Sequence, residues 1–256
     1  MLKTRTIASH SIKRSAFLKE IRSNCPQIYP LMKQAYGFSS PIFYMEHELH
    51  SETGLHQGDP LAALAFALAI HPIIRDIASP FNAWFIDDGT VGGELDQALA
   101  DVGRLERRFS EIGLSLNHSK CEFSVLATTP SFPLERILAR VGQVMPDIAL
   151  IPSERLTLLG APLAVEGLDS AVSKCNDKVK LICQRVQVLD AHWALFFLTR
   201  YASAPRVNHL LRSAPTYLRP AALEAIDGVV REAVIRCTNV DLTANAWKQA
   251  SLPLRF

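Results

Sequence analysis

Apolar residues follow two rhythms along the chain. Up to about residue 165, short β-prone runs alternate with stretches of helical spacing; from Leu168 onward only helical spacing remains. Ile12, Ala16, Phe17 and Ile21 mark one face of a helix over residues 11–23, with Ser11 as its N-cap. A second short helix is expected over residues 29–37, ending near Gly37. Residues 41–50 read as a strand or hairpin, followed by a turn. Asp59-Pro60 then opens a helix, aspartate as cap and proline at the first helical position, which runs to about Ile77 and stops before Ser79-Pro80. Asn82–Ile86 is aromatic and β-prone, Asp87-Asp88-Gly89 is a turn signal, and Thr90-Val91 is the return strand. Leu95, Ala98, Leu99, Val102, Leu105 and Phe109 define an amphipathic helix over residues 95–112, ended by Gly113.

Beyond this helix, Leu114–Phe123 is expected to return as a strand pair, residues 134–144 as a helix and Arg155–Leu159 as a strand. Three helices follow over residues 169–189, 190–213 and 219–237, with a kink at Pro205 and a break at Pro215 and Pro220. The pattern predicts an α/β region over residues 1–165 and an all-α region over residues 166–256.

Composition narrows the class. Of 256 residues, 48% are hydrophobic and 20% charged, which places the chain among globular proteins and excludes a disordered one. Cys25, Cys121, Cys175, Cys183 and Cys237 are odd in number and scattered, with no CxxC pair, so neither a zinc site nor a disulfide framework is expected. The N-terminus has basic residues but no apolar core of a secretory signal, and Leu61–Ile74, the longest apolar run, is too short for a bilayer. An intracellular protein with no membrane partner is the expectation.

Charge is distributed unevenly. Residues 1–58 hold seven Lys/Arg against four acids, residues 59–165 eight against thirteen, and residues 166–256 twelve against eight. An acidic middle between basic flanks suits carboxylates that bind cations beside surfaces that meet phosphates, although ordinary surface scatter gives such a pattern equally well.

The candidate chemistry centres on Asp87 and Asp88. Two adjacent carboxylates at a tight turn repel unless a cation sits between them, and oxygen-only sites with open positions suit Mg²⁺. Two such ions form the usual clamp for nucleotidyl transfer. Taken alone, Asp-Asp-Gly is more often a solvated turn.

The order of neighbouring motifs changes that balance. Gly54-Leu55-His56-Gln57-Gly58-Asp59-Pro60-Leu61, followed by Phe66-Ala67-Leu68-Ala69-Ile70, resembles motif B of reverse transcriptases from non-LTR (LINE-type) retrotransposons. Trp84-Phe85-Ile86-Asp87-Asp88-Gly89-Thr90 resembles that family's Y-x-D-D box, with Phe85 in place of tyrosine. Gly113-Leu114-Ser115-Leu116-Asn117 with Lys120-Cys121-Glu122 resembles motif D, and Leu158-Leu159-Gly160-Ala161-Pro162 resembles motif E. The resemblance implies a palm with a small antiparallel sheet backed by helices, then a helical thumb-like region that grips duplex through Lys174, Lys178 and Arg185. It implies Mg²⁺ or Mn²⁺ on Asp87 and Asp88, a leaving-pyrophosphate role for Lys120, and template and nucleotide contacts for Gln57, Gly58 and Phe85. The implied partners are an RNA or DNA template-primer and a deoxynucleoside triphosphate.

One element of that pattern is missing. The family places a further aspartate, in motif A, on the strand beside the Asp-Asp hairpin, yet residues 1–58 contain no aspartate. Ala8–Arg14 resembles the tail of a degraded motif A, which puts the missing carboxylate near Thr4. The fingers, which precede motif A in that family, are not expected within this sequence either. The expectation is a palm remnant without the motif A strand, with an uncovered sheet edge, marginal solubility and little or no RNA-directed DNA polymerase activity. The competing reading is a non-catalytic retroelement-derived protein that binds nucleic acid or is vestigial. An unrelated Asp-Asp metal hydrolase is disfavoured, because no cluster of ligands accompanies the pair.

Overall fold

The computed structural model describes residues 1–7, 11–126 and 133–251. It divides into two compact units, Met1–Ile151 and Pro152–Phe256. The expected boundary near residue 165 falls inside the second unit. No helix among the described residues is long and apolar enough to cross a membrane.

The first unit is a mixed sheet covered by helices. Its strands are β1 (Leu2–Ile7), β4 (Phe81–Phe85), β5 (Asp88–Gly92), β6 (Ser115–Leu116), β7 (Glu122–Phe123) and β8 (Ala149–Leu150), in the order β4-β5-β1-β7-β8, with β6 also paired to β1. All pairs are antiparallel except β7 with β8. A separate hairpin joins β2 (Ser40–Tyr44) to β3 (His47–Ser51). The helices are α1 (Arg14–Asn24), α2 (Tyr29–Tyr36), α3 (Ala62–Ile74), α4 (Leu95–Glu111) and α5 (Leu134–Val144).

The core explains which face of the sheet is covered. Opposed residues of an antiparallel pair share a face. The register pairs Leu2 with Val91 and with Phe123, and Thr6 with Leu116. Leu2, Val91, Phe123 and Leu116 are all buried, in one cluster with Phe17 and Ile21 of α1, Phe66 and Ile70 of α3, and Leu105 and Phe109 of α4. By alternation, Asp88, Phe85 and Glu122 lie on the other face, where Phe85 is 58% exposed.

Four expectations are corrected here. The strand beside the hairpin is present: β1 is central, bonded to β5 on one side and to β6 and β7 on the other, so no sheet edge is left bare where that strand belongs. Residues 114–123 do not pair with each other; β6 and β7 both add to β1, because Leu116 and Phe123 reach the core only there. The helix after Asp59 begins at Ala62, since the Asp59 side chain accepts from the Leu61 amide at 2.8 Å and its carbonyl from the Ala62 amide, closing a turn first. Similarly α1 starts after Lys13 rather than at Ser11.

The second unit is helical apart from one short hairpin, β9 (Thr157–Leu158) with β10 (Ala161–Pro162). Its helices are α6 (Leu168–Arg185), α7 (Ala191–Phe197), α8 (Ala204–Ser213), α9 (Pro220–Thr238) and α10 (Ala244–Ala250). Val172, Val179 and Cys183 of α6 pack with Ile226, Val230 and Ala233 of α9 and with Ala194, Leu198 and Ala202. The helix expected over residues 190–213 is two helices: a π-helical turn over Leu198–Ala202 ends the first, and Pro205, which has no amide proton to give, sits in the opening turn of the second. The sequence reading gave no helix for α10; its Thr243 cap, which accepts from the Ala246 amide at 3.2 Å, is the local signal for it.

Candidate active site

β4 and β5 form a two-residue hairpin, with Phe85 opposite Asp88 and Ile86-Asp87 at the tip. Ile86 has φ 53°, the sign that the first central residue of a type II′ turn requires. That position ordinarily takes glycine, and a β-branched side chain there carries roughly 1–3 kcal/mol of backbone strain. The hairpin is braced from its covered face. The Trp84 ring lies over Gly89, where an added Cβ would come within 2.5 Å of it, and stands edge-on to Phe109 of α4 at 5.7 Å. Asn82 accepts from the Trp84 indole and donates to the Ile74 carbonyl at the end of α3, each at 2.8 Å.

The connection into β4 is clamped to α4. Asp101, buried in mid-helix, accepts from the Ser79 amide at 2.8 Å, the Ser79 hydroxyl at 2.7 Å and the Ala78 amide at 3.3 Å. Burial works against its charge, but the hydrogen bonds from Ser79, Gln97 and Ala78 outweigh it and hold the carboxyl below its ordinary range. Arg108 pairs with Asp76 at 2.7 Å on the surface beside it.

Asp87 and Asp88 are both half-buried. The strand next to them is β1, and its register puts Arg5 opposite Asp88 and Thr4 opposite Gly89. Thr4 is fully buried on the covered face, and its hydroxyl donates to the Gly89 carbonyl at 3.3 Å. Near the position where the resemblance expects a third carboxylate, the chain therefore has a short neutral side chain turned into the core.

Lys120 is exposed in a 3-10 turn, His118–Lys120, between β6 and β7. β6 pairs with Thr6 and Ile7 and β7 with Leu2 and Lys3, so their connection flanks β1 at the level of Thr4 and Arg5. Two strand spacings, about 10 Å, separate it from β5. Phe85, Asp87, Asp88 and Lys120 thus border the same stretch of sheet.

Gln57 and Gly58 belong to another turn, ahead of α3. Both are exposed, and Gly58 has φ +91° with open space where a Cβ would stand. This turn is held by Tyr36 of α2, a buried side chain whose hydroxyl donates to Asp59 and accepts from the His56 amide at 3.2 Å, with the His56 ring 4.8 Å from its own. Burial, then the hydrogen bond to Asp59, push the Tyr36 hydroxyl above its ordinary value. Arg14 lies over the Tyr36 ring and donates at 2.8 Å to the Phe38 carbonyl and to Ser51 of the β2–β3 hairpin. Tyr36 and Arg14 escaped the sequence reading because their role depends on contacts 20 or more residues away.

A sizeable apolar cavity lies elsewhere. About 790 Å³ opens at the far end of the β4–β5 hairpin, lined by Phe81, Gly92, Leu95, Phe123 and Ile137. A five-residue strand rises about 17 Å, so this apolar space is well removed from the carboxylates.

Among the described residues, the side chains do not make up a two-ion centre. Such a clamp requires carboxylates that reach both ions in near-octahedral geometry. Among the described residues, no three His, Cys, Asp or Glu side chains are grouped to hold a metal ion.

Comparison with known families follows the same outline. Curated proteins give no match to the chain. A family model described as reverse transcriptase (RNA-dependent DNA polymerase) matches residues 8–163, a span that takes in the Gln57-Gly58 turn, the Asp87-Asp88 hairpin and the Lys120 connection and begins just after β1. That family generally uses divalent metal ions. With more than half its length matched in this way, the chain belongs to the reverse transcriptase family.

Proposed function

We propose that this chain is a LINE-type reverse-transcriptase palm with its nucleotidyl-transfer centre incomplete, so that it engages nucleic acid without extending a primer. The observation that carries this is the pairing of β1 with β5. The strand that flanks the hairpin presents Thr4, not a carboxylate, next to Gly89. In the complete reaction, ions held by three carboxylates lower the barrier by neutralising charge on the transferring phosphoryl group. Loss of one ligand removes several kcal/mol of that stabilisation, about a thousandfold or more in rate.

The remaining parts keep binding roles. Gln57 and Gly58 offer an exposed backbone turn to template and incoming nucleotide. Phe85 offers an exposed ring on the open face of the sheet. Lys120 supplies a cation for phosphate. Lys174, Lys178 and Arg185 on α6 are exposed and available to a duplex backbone. A primer-extension assay with Mg²⁺ or Mn²⁺ tests the proposal. Background-level incorporation supports it, and clear incorporation that disappears in Asp87→Ala defeats it.

A further inference from the structure

The second unit turns its largest side chains outward on α7. Along this helix and the π turn after it, Ala194, Leu198 and Ala202 are buried, whereas Trp193, Phe196, Phe197 and Tyr201 are 36–55% exposed. This inverts the usual order, in which bulk goes inside and small residues line the surface. The rings are continuous. Trp193 meets Phe196 edge-on at 6.2 Å, Phe196 meets Phe197 at 5.7 Å and Tyr201 at 6.5 Å, and Phe197 lies tilted on Tyr201 at 5.6 Å. Edge-to-face contact leaves ring faces uncovered rather than stacked on one another.

Charge along this segment is mostly positive. Residues 185–212 contain four arginines and a single acid, Asp190, with neither lysine nor glutamate. Arg185, Arg200, Arg206 and Arg212 are all exposed, and among the described residues none is in an ion pair. Arg200 lies within the π turn, between Phe196 and Tyr201 in sequence. The Arg206 Nε donates to the Tyr201 carbonyl at 3.2 Å, which keeps its guanidinium next to that residue without neutralising it. Open ring faces with uncompensated cations in the same segment match the needs of unpaired bases on a phosphate backbone: rings stack the bases and cations meet the phosphates. An apolar protein surface would offer those arginines no anion, and a duplex would keep its base faces hidden.

We propose that the α7 ring stripe is a stacking platform for single-stranded nucleic acid, separate from the Asp87-Asp88 hairpin. The test uses the full chain in metal-free buffer with a labelled oligouridylate of about 12 nucleotides, matched to the length such platforms cover, and an RNA–DNA duplex as the competitor. Combined Trp193→Ala, Phe196→Ala and Tyr201→Ala weakens single-strand binding at least about tenfold, as stacking energies of roughly 1–3 kcal/mol per base require, and leaves duplex binding within about twofold. Trp193→Phe keeps the affinity, because a ring face and not the indole N–H is needed. Arg200→Gln, which touches no buried contact, lowers the salt slope of single-strand binding by about 0.7 and decides the matter should the triple variant fail to fold. Unchanged single-strand affinity in the folded triple variant, or an unchanged salt slope in Arg200→Gln, overturns the proposal. Conversion of a dimer to a monomer by the triple variant, without loss of single-strand binding, overturns it in favour of a second copy of this chain. Because binding is read without metal, its failure and a failure of the hairpin reading are distinguishable.

Discussion

Thr4 and Gly89 face each other across β1 and β5, and the Thr4 hydroxyl donates to the Gly89 carbonyl at 3.3 Å. This contact joins the central strand to the hairpin that carries both carboxylates. It also occupies the covered face with a neutral group that has found its hydrogen bond inside the protein.

Thr4→Val and Thr4→Asp separate the structural role from a catalytic one. Valine keeps the shape and loses one buried hydrogen bond, a cost of about 1 kcal/mol. Aspartate places a carboxylate in the core without a paired cation and costs about 3 kcal/mol or more in metal-free buffer. Urea midpoints of the two variants measure the difference; equal midpoints would show that the position opens to solvent.

Gly89→Ala is expected to be severe for a different reason. Its Cβ would meet the Trp84 ring at 2.5 Å and the Thr4 hydroxyl at 2.7 Å. Relief requires Trp84 to leave Phe109, and the loss is about 2–4 kcal/mol. A melting temperature within a degree or two of the parent would contradict this packing.

Ile86→Gly is expected to act in the opposite direction. Glycine removes the strain of φ 53° at the turn, less the entropy that glycine adds to the unfolded chain, for a net gain of about 1 kcal/mol. Ile86→Val keeps the branched side chain and gains nothing. Chemical denaturation of both variants distinguishes a strained turn from a relaxed one.

Acid stability should depend on Asp101. Its folded pKa is depressed, so its contribution is fully present above the ordinary carboxylate range, near pH 4, and fades as pH falls through the folded value. Asp101→Asn is therefore less stable at neutral pH and loses less on acidification. Parallel slopes of stability against pH below about pH 4 for parent and variant would rule out the Ser79 clamp as the cause.

The sequence made much of the first unit legible because helical spacing and turn residues coincide there. Leu95–Glu111 falls where periodicity puts it, and the hairpin is where it is expected, but its turn is Ile86-Asp87 rather than Asp87-Asp88-Gly89, with Asp88 and Gly89 already paired in β5. β1 is not legible as an element because Leu-Lys-Thr-Arg-Thr-Ile lies among basic residues; only its partners on both sides make it central. The same limit applies to the site. Asp87 and Asp88 are local in sequence, whereas the Tyr36–Asp59 bond that holds the Gln57-Gly58 turn and the Thr4–Gly89 bond that fills the core beside the hairpin span 23 and 85 residues. The break at Leu198–Ala202 reflects buried Leu198 and Ala202 in a π turn, which no repeat of 3.6 announces.

Primer extension by the full chain, on an RNA template with a DNA primer and either Mg²⁺ or Mn²⁺, addresses the incomplete centre most directly. A palm with Thr4 beside its hairpin is expected to incorporate no more nucleotide than its Asp87→Ala variant does. Metal-dependent incorporation by the parent chain that Asp87→Ala abolishes would mean that a full set of ligands assembles around Asp87 and Asp88, and would contradict it.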